Sequence, residues 1–234
     1  MNVKDIITGL AFSILLSSGM AVAADYDKGT KALNSGDYKA ALVEFIPLAE
    51  QGDAYAQGDL GYMYEFGYGV LKSYKTAVKW YTLAAEQGDA YSQYNLALKY
   101  DKGEGVLEND KTAVKWFTLA AEQGHAKAQF NLAFKYDTGK GVLENDKTAV
   151  KWYTLAAEQG HASAQGNLGV MYALGEGVLT DNQRAYMWLN LASYNGYESG
   201  GENKDKIAKD MTSAQIDKAQ DMSSRCLDSG YTDC

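Results

Sequence analysis

The chain has 234 residues, a formal net charge of −8 and 46% hydrophobic residues. It is long enough to bury a core. It is also acidic, with no run of Lys and Arg to offset repulsion from phosphate backbones, which excludes nucleic acid as a partner class.

At the N-terminus Lys4 precedes a largely apolar run from Ile6 to Met20, followed by Ala21-Val22-Ala23, a small-x-small site. This is the layout of a secretory signal peptide over residues 1–23, with cleavage expected after Ala23. The apolar run falls short of the roughly 20 residues that span a bilayer, so a membrane-spanning anchor is not expected. No Cys follows the cleavage site to carry a lipid. The expected mature chain is exported, periplasmic or secreted, from a bacterium.

Beyond residue 53 the chain repeats itself, the pattern to seek first in any sequence. Trp80, Trp116, Trp152 and Trp188 are its only tryptophans, each 36 residues from the next, and the string GVLENDKTAVKW occurs at both 105–116 and 141–152. The period divides the chain into units 54–89, 90–125, 126–161 and 162–197. Ala54, Leu60, Tyr64, Ala77 and Leu83 recur in phase in all four, which marks them as scaffold. Each unit reads as two amphipathic helices, because its recurring residues (Gln93, Leu96 and Tyr100; Ala113, Trp116 and Ala120) are spaced by three and four. A G-x-G-V-L turn separates them. Ser73, Asn109, Asn145 and Asp181 are N-caps for the second helices, and Gly88, Gly124, Gly160 and Gly196 are left-handed stops. No single pair can bury its apolar face alone, so neighbours must stack into a solenoid.

The pattern A-x-A/S-Q-x-N/D-L-x-x-x-Y-x-x-G-x-G-V, followed by A-V-K-W-Y-T-L-A-A-E-Q-G, resembles the Sel-one-like repeat family, relatives of the tetratricopeptide repeats. The resemblance implies an all-α, right-handed α-solenoid that acts as a protein-interaction scaffold, with no cofactor. Residues 24–53, with Gly36-Asp37-Tyr38 and Leu48-Ala49-Glu50-Gln51-Gly52-Asp53, resemble the helical pair that often precedes such arrays. They depart from the repeat at Glu44, where the tryptophan would be, and at Pro47, which is expected to kink or shorten the second helix.

After Tyr197 the period fails. Residues 198–234 are expected to form a cap: a polar, Gly-containing loop over 198–202, a segment Lys204–Asp210, and a helix opened by a Thr212/Gln215 capping box and reaching about Cys226. Cys226 and Cys234 are the only cysteines, and in an oxidising compartment they are expected to pair and pin the tail to the cap. So short a closed loop is worth about 2.5 kcal/mol in the chain-entropy view.

No catalytic constellation emerges. His125 and His161, the only histidines, occupy one repeat position and so stand on separate stacked elements; they read as surface copies rather than metal ligands. Each G-x-G lies between two helices, without the preceding strand or third glycine of a dinucleotide site. Asp101 and Asp137 are repeat copies with nothing to separate their pKa values.

In the related tetratricopeptide arrays the first helices form a concave wall, and their groove-facing positions carry over by counting from the shared Ala. The resemblance then implies a groove that includes Tyr91, Tyr94, Leu98 and Asp101 from one repeat and Phe130, Phe134 and Asp137 from the next. Tyr55, Gly58, Tyr62, Glu65 and Phe66 hold such positions in the first repeat, and Gly166 in the fourth. A protein or peptide with an apolar anchor and a basic flank suits that groove. The alternative partner is a cell-envelope carbohydrate such as peptidoglycan, stacked on tyrosines.

Overall fold

The computed structural model describes residues 24–234; the leader expected over 1–23 lies outside the described residues. The described chain is all-helical: α1 (Tyr26–Asn34), α2 (Tyr38–Glu50), α3 (Ala54–Phe66), α4 (Tyr74–Glu86), α5 (Ala90–Lys102), α6 (Asp110–Glu122), α7 (Ala126–Thr138), α8 (Asp146–Ala157), α9 (Ala162–Leu174), α10 (Asn182–Tyr194), α11 (Glu198–Ala208) and α12 (Ser213–Asp228). These helices form two compact units that meet in sequence at Asn109 and Asp110, between the two helices of the second repeat.

In the first unit each helix from α1 to α5 packs on the next, around Phe45, Leu60, Met63 and Trp80. In the second unit α6 to α10 pack in the same serial way, around Tyr153, Leu168, Met171, Met187, Trp188 and Leu191. Ser73, Asn145 and Asp181 cap their helices as expected, and α6 starts directly after Asn109.

The second helices all end alike. At Gly88 φ is +96°; its N–H donates to the Ala85 carbonyl at 3.0 Å and the Asp89 N–H to the Ala84 carbonyl at 3.1 Å. These are the two bonds of a Schellman stop. The same pair forms at Gly52–Asp53, Gly124–His125, Gly160–His161 and Gly196–Tyr197. The residue that closes the stop then caps the following first helix. Asp53 and Asp89 accept through Oδ1 from the Ala56 and Ser92 N–H groups at 2.8 and 2.7 Å. His125 and His161 accept through Nδ1 from Ala128 and Ala164 at 3.2 and 3.3 Å. The two histidines are therefore half-buried caps rather than surface copies.

At each junction a buried glutamine adds a second donor to the carbonyl that the stop glycine bonds. Gln57, Gln93, Gln129 and Gln165 donate through Nε2 to the carbonyls of Ala49, Ala85, Ala121 and Ala157 at 3.0–3.1 Å. Their own Oε1 atoms accept from the end of the second helix of the same repeat: Gln87 to Gln57 at 2.8 Å, Gln159 to Gln129 at 2.7 Å, and Asn195 to Gln165 at 2.8 Å.

The G-x-G turns have a packing reason beyond positive φ. At Gly141, with φ +79°, a Cβ would lie 2.6 Å from the Asp110 carbonyl carbon; Gly105 stands likewise against Tyr74 and Gly177 against Asp146. The turn thus lies on the start of the preceding second helix, and only glycine permits that approach.

Two further expectations are corrected. Pro47 does not shorten α2, which runs 13 residues like most of its neighbours; the proline sits in the last turn, where a single ladder bond is lost. The polar stretch 198–202 is not a loop but the start of α11, because Gly200 and Gly201 let that helix lie on the backbone of α10, where a Cβ at 200 would sit 2.7 Å from the Ser193 nitrogen. The helical pairing therefore continues past Tyr197: α11 and α12 both pack on α10. The Thr212/Gln215 capping box opens α12, and Cys226 is bonded to Cys234. The tail so held places Tyr231 against Gly160, its OH donating to Asn195 Oδ1 at 2.9 Å, and so completes the last glutamine junction.

Two outcomes follow. Gln165→Leu leaves the Asn195 amide without its acceptor and removes one partner of the Ala157 carbonyl, so it should cost about 1–3 kcal/mol in urea unfolding. The exposed Gln51→Ala should stay within about 0.5 kcal/mol; equal losses in the two would refute the junction's role. Acid should also weaken the His161 cap. Burial pushes the His161 imidazole below its usual value, and Lys127 acts in the same direction. Its folded pKa is thus below the unfolded value of about 6.5. The neutral cap contributes fully above that pH and is lost as pH falls from about 6.5 through the folded value. A cap is worth about 1 kcal/mol, so Tm should drop across that window, and His161→Asn, which accepts at any pH, should reduce the drop. An unchanged pH profile in His161→Asn would count against this.

Candidate partner-binding surface

In the first unit the first helices α3 and α5 present aromatic residues to solvent. Tyr55 is 65% exposed and Tyr91 43%, while Tyr81 on the second helix α4 is fully buried. The sequence-derived residues Tyr94, Leu98 and Asp101 lie along α5, all half-buried, and Tyr91 stands in its first turn.

An aromatic cluster lies at the other end of α3. Tyr38 and Tyr68 stack with centroids 4.6 Å apart and planes 7° from parallel; Phe66 stacks on Tyr68 at 5.7 Å, and Tyr62 lies 4.7 Å from Phe66. Tyr38 and Tyr68 were not singled out from sequence. The available signal was Tyr68 in the middle of G-x-G, where the other repeats carry Glu104, Lys140 and Glu176.

Two charged groups organise this unit. Lys99 is buried, its Nζ paired with Glu65 at 2.5 Å and Glu104 at 2.6 Å and lying 4.7 Å over the Tyr74 ring. Glu65 also accepts from the Tyr81 OH at 2.8 Å. Asp59 accepts from the Tyr26 OH at 2.9 Å, and the Tyr26 ring is 6.0 Å from that of Tyr55. Burial pushes the Asp59 carboxyl up to about 6; the Tyr26 hydrogen bond opposes this, and Asp89 and Asp53 add to it.

In the second unit Phe130 and Asp137 meet at one side chain. Tyr153, fully buried, donates its OH to Asp137 at 3.1 Å, accepts from Asn167 at 2.9 Å, and lies 5.9 Å from the Phe130 ring. Phe130 also stacks on His161 at 4.6 Å and packs against the core, which makes it half-structural. Burial raises the Asp137 carboxyl above its usual range, against the Tyr153 hydrogen bond. Phe134 points outward, 40% exposed. Tyr153, Asn167 and His161, which set the positions of Phe130 and Asp137, were not legible as a group in the sequence.

A further periodic feature is the leucine of each G-x-G-V-L turn: Leu71, Leu107, Leu143 and Leu179 are 90–91% exposed. Among the described residues no group of three or more His, Cys, Asp or Glu is placed to hold a metal. Nor is any described helix long and apolar enough to cross a membrane.

The Sel1 repeat profile matches residues 54–89, 90–125, 126–161 and 162–197, the four units of the period. Among solved structures, a Sel1 repeat protein from Oxalobacter formigenes is 35% identical with a TM-score of 0.74, covering 84% of this chain and 82% of its own. A protective antigen of uropathogenic Escherichia coli strains that displays an SLR fold is 32% identical with a TM-score of 0.55; the match covers 86% of this chain but 55% of that one. A putative Sel1 repeat protein from Klebsiella pneumoniae, at 24% identity and TM-score 0.50, covering 78% of this chain and 91% of its own, shares the fold. No curated protein matches. With four profile matches in phase with the tryptophans and the helix pairs found where the repeat requires them, the chain belongs to the Sel1 repeat family.

Proposed function

We propose that this chain is an exported, non-catalytic scaffold that holds a protein or peptide partner on the outward faces of its first helices. The binding residues are Tyr91, Tyr94, Leu98 and Asp101 in the first unit and Phe130, Phe134 and Asp137 in the second. The observation that carries this reading is a contrast between helices. Three aromatics of the second helices (Tyr81, Phe117 and Tyr153) are fully buried and Tyr194, at the end of α10, is the exposed exception at 73%, whereas Tyr55, Phe66, Tyr91 and Phe134 on first helices are 40–65% exposed. Exposed aromatics on a rigid array are the stuff of binding hot spots. Helical arrays of this family commonly serve as protein-interaction scaffolds.

The groups that chemistry would need are engaged in structure. His125 and His161 cap helices, and Asp137 receives the Tyr153 hydroxyl. Export to the periplasm or beyond is supported by the Cys226–Cys234 bond, which persists in oxidising compartments, and by the leader-like pattern before residue 24. The carbohydrate alternative, peptidoglycan, is favoured by the exposed tyrosines Tyr55 and Tyr194, each able to stack on a sugar ring.

Immobilised mature protein should retain a discrete protein from native periplasmic extract, and a Tyr91→Ala/Phe134→Ala variant with unchanged circular dichroism should lose it. Both residues are exposed enough for the fold to survive. Equal retention would move the interface off the first helices. Retention of sacculi instead, lost in the same variant, would replace the protein partner by the carbohydrate.

A further inference from the structure

One repeat position breaks a pattern within the chain itself. Positions 59, 95, 131 and 167 are Asp, Asn, Asn and Asn. In the second unit both asparagines are satisfied: Asn131 donates to the Lys127 carbonyl at 2.8 Å and Asn167 to the Tyr153 OH at 2.9 Å. In the first unit the position is less well served. Asn95 is 8% exposed, yet its Nδ2 has no hydrogen-bond partner. Asp59 is a half-buried carboxylate whose hydrogen-bonded partner is a neutral phenol, with no Lys or Arg among the described residues paired to it.

The surroundings make this carboxylate costly. Asp53 and Asp89, fixed as helix caps, add negative charge, and burial and those neighbours together push its pKa up to about 6. A charge that is partly desolvated and unpaired favours any arrangement that supplies a cation. The walls suit one. Tyr26 and Tyr55 stand with ring centroids 6.0 Å apart on one side, and Tyr91, whose phenol lies beside the Asn95 amide and within the field of Asp59, stands on α5 beside α3. Tyrosine faces attract ammonium and guanidinium groups. The unpartnered Asn95 N–H lacks an acceptor, which a peptide carbonyl supplies.

We propose that Asp59, framed by Tyr26, Tyr55 and Tyr91, is the seat for a lysine or arginine side chain of the protein partner, with Asn95 donating to a backbone carbonyl next to that side chain. This deepens the scaffold reading and rests on it, since it takes the occupant to be a polypeptide. Charge complementarity selects a basic segment.

The test uses the full mature chain and blocked pentapeptides with a central Lys or Arg, titrated by NMR, with a central-Gln peptide as control. The Lys and Arg peptides should give saturable shifts at Asp59, Tyr91 and Asn95, and the Gln peptide none. Binding should strengthen from pH 5 to 7.5 as Asp59 ionises; the titratable groups facing it are Tyr26, Tyr91, Asp53 and Asp89. Asp59→Asn installs the residue that the other three repeats carry at this position and retains an acceptor for Tyr26. It should therefore fold with a Tm at neutral pH no lower than the parent's, since it removes a costly charge, while weakening the basic peptides roughly 30-fold, the loss expected on truncating one partner of a desolvated charge pair. Absence of saturable shifts, equal affinity for the Gln peptide, or equal affinity in Asp59→Asn would each overturn the seat. If the variant still retains the extract protein that Tyr91→Ala/Phe134→Ala loses, the scaffold reading stands and only the seat falls.

Discussion

The structure depends on how one helix pair hands over to the next. Every second helix ends with carbonyl groups that have no partner in their own helix. The array buries those ends, so each must be satisfied within the junction. The glycine stop takes two carbonyls, the residue after it caps the next helix, and the buried glutamine of that helix reaches back as a second donor to the carbonyl that the glycine bonds. Because a single short segment performs all of these tasks, its length and composition admit little change. That explains why A-x-A/S-Q and E-Q-G recur with so little variation, and why the period holds at 36 residues. At the C-terminal end the disulfide-held tail plays the same part, through Tyr231 on Asn195.

Against this fixed junction, other positions are free to change chemistry. Residues 63, 99, 135 and 171 are Met, Lys, Lys and Met, all buried at the same place in the repeat. A lysine is tolerated where a methionine fits because carboxylates stand within reach, Glu65 and Glu104 for Lys99 and Asp110 for Lys135. Paired, a buried charge is close to neutral in cost; unpaired, it is not. The same comparison sets Asp59 apart, since it is a charge at a repeat position for which the described residues provide no counter-charge.

Much of this was legible from the chain. The tryptophan spacing, the N-caps, the capping box at Thr212 and the cysteine pair are local signals whose physics does not depend on distant residues. The histidines were misread as surface copies because Asp53 and Asp89, which hold the equivalent place, show no outward resemblance to an imidazole; what the four share is an acceptor atom at the right reach. The stretch 198–202 was misread because Ser, Gly and Gly are loop formers by propensity. Close packing on α10 overrode that propensity by making the absent side chains an advantage. Pro47 was over-weighted for the opposite reason, since a proline in the last turn removes a single bond from a helix held mainly by packing.

By itself, then, the sequence determined the period, the helical pairs, their caps and stops, and the family, because each is written in residues a few positions apart and copied four times. What the tertiary structure alone decided is which copies are satisfied. Phe130 reads in the chain as a groove aromatic, but stacking on His161 and packing against the second-unit core make it partly structural. Asp59 and Asn167 hold one repeat position, but Asn167 finds the Tyr153 hydroxyl whereas Asp59 finds only Tyr26 and two more carboxylates. Partners for a side chain come from the neighbouring helices, and spacing along one strand of sequence carries no record of what those helices present.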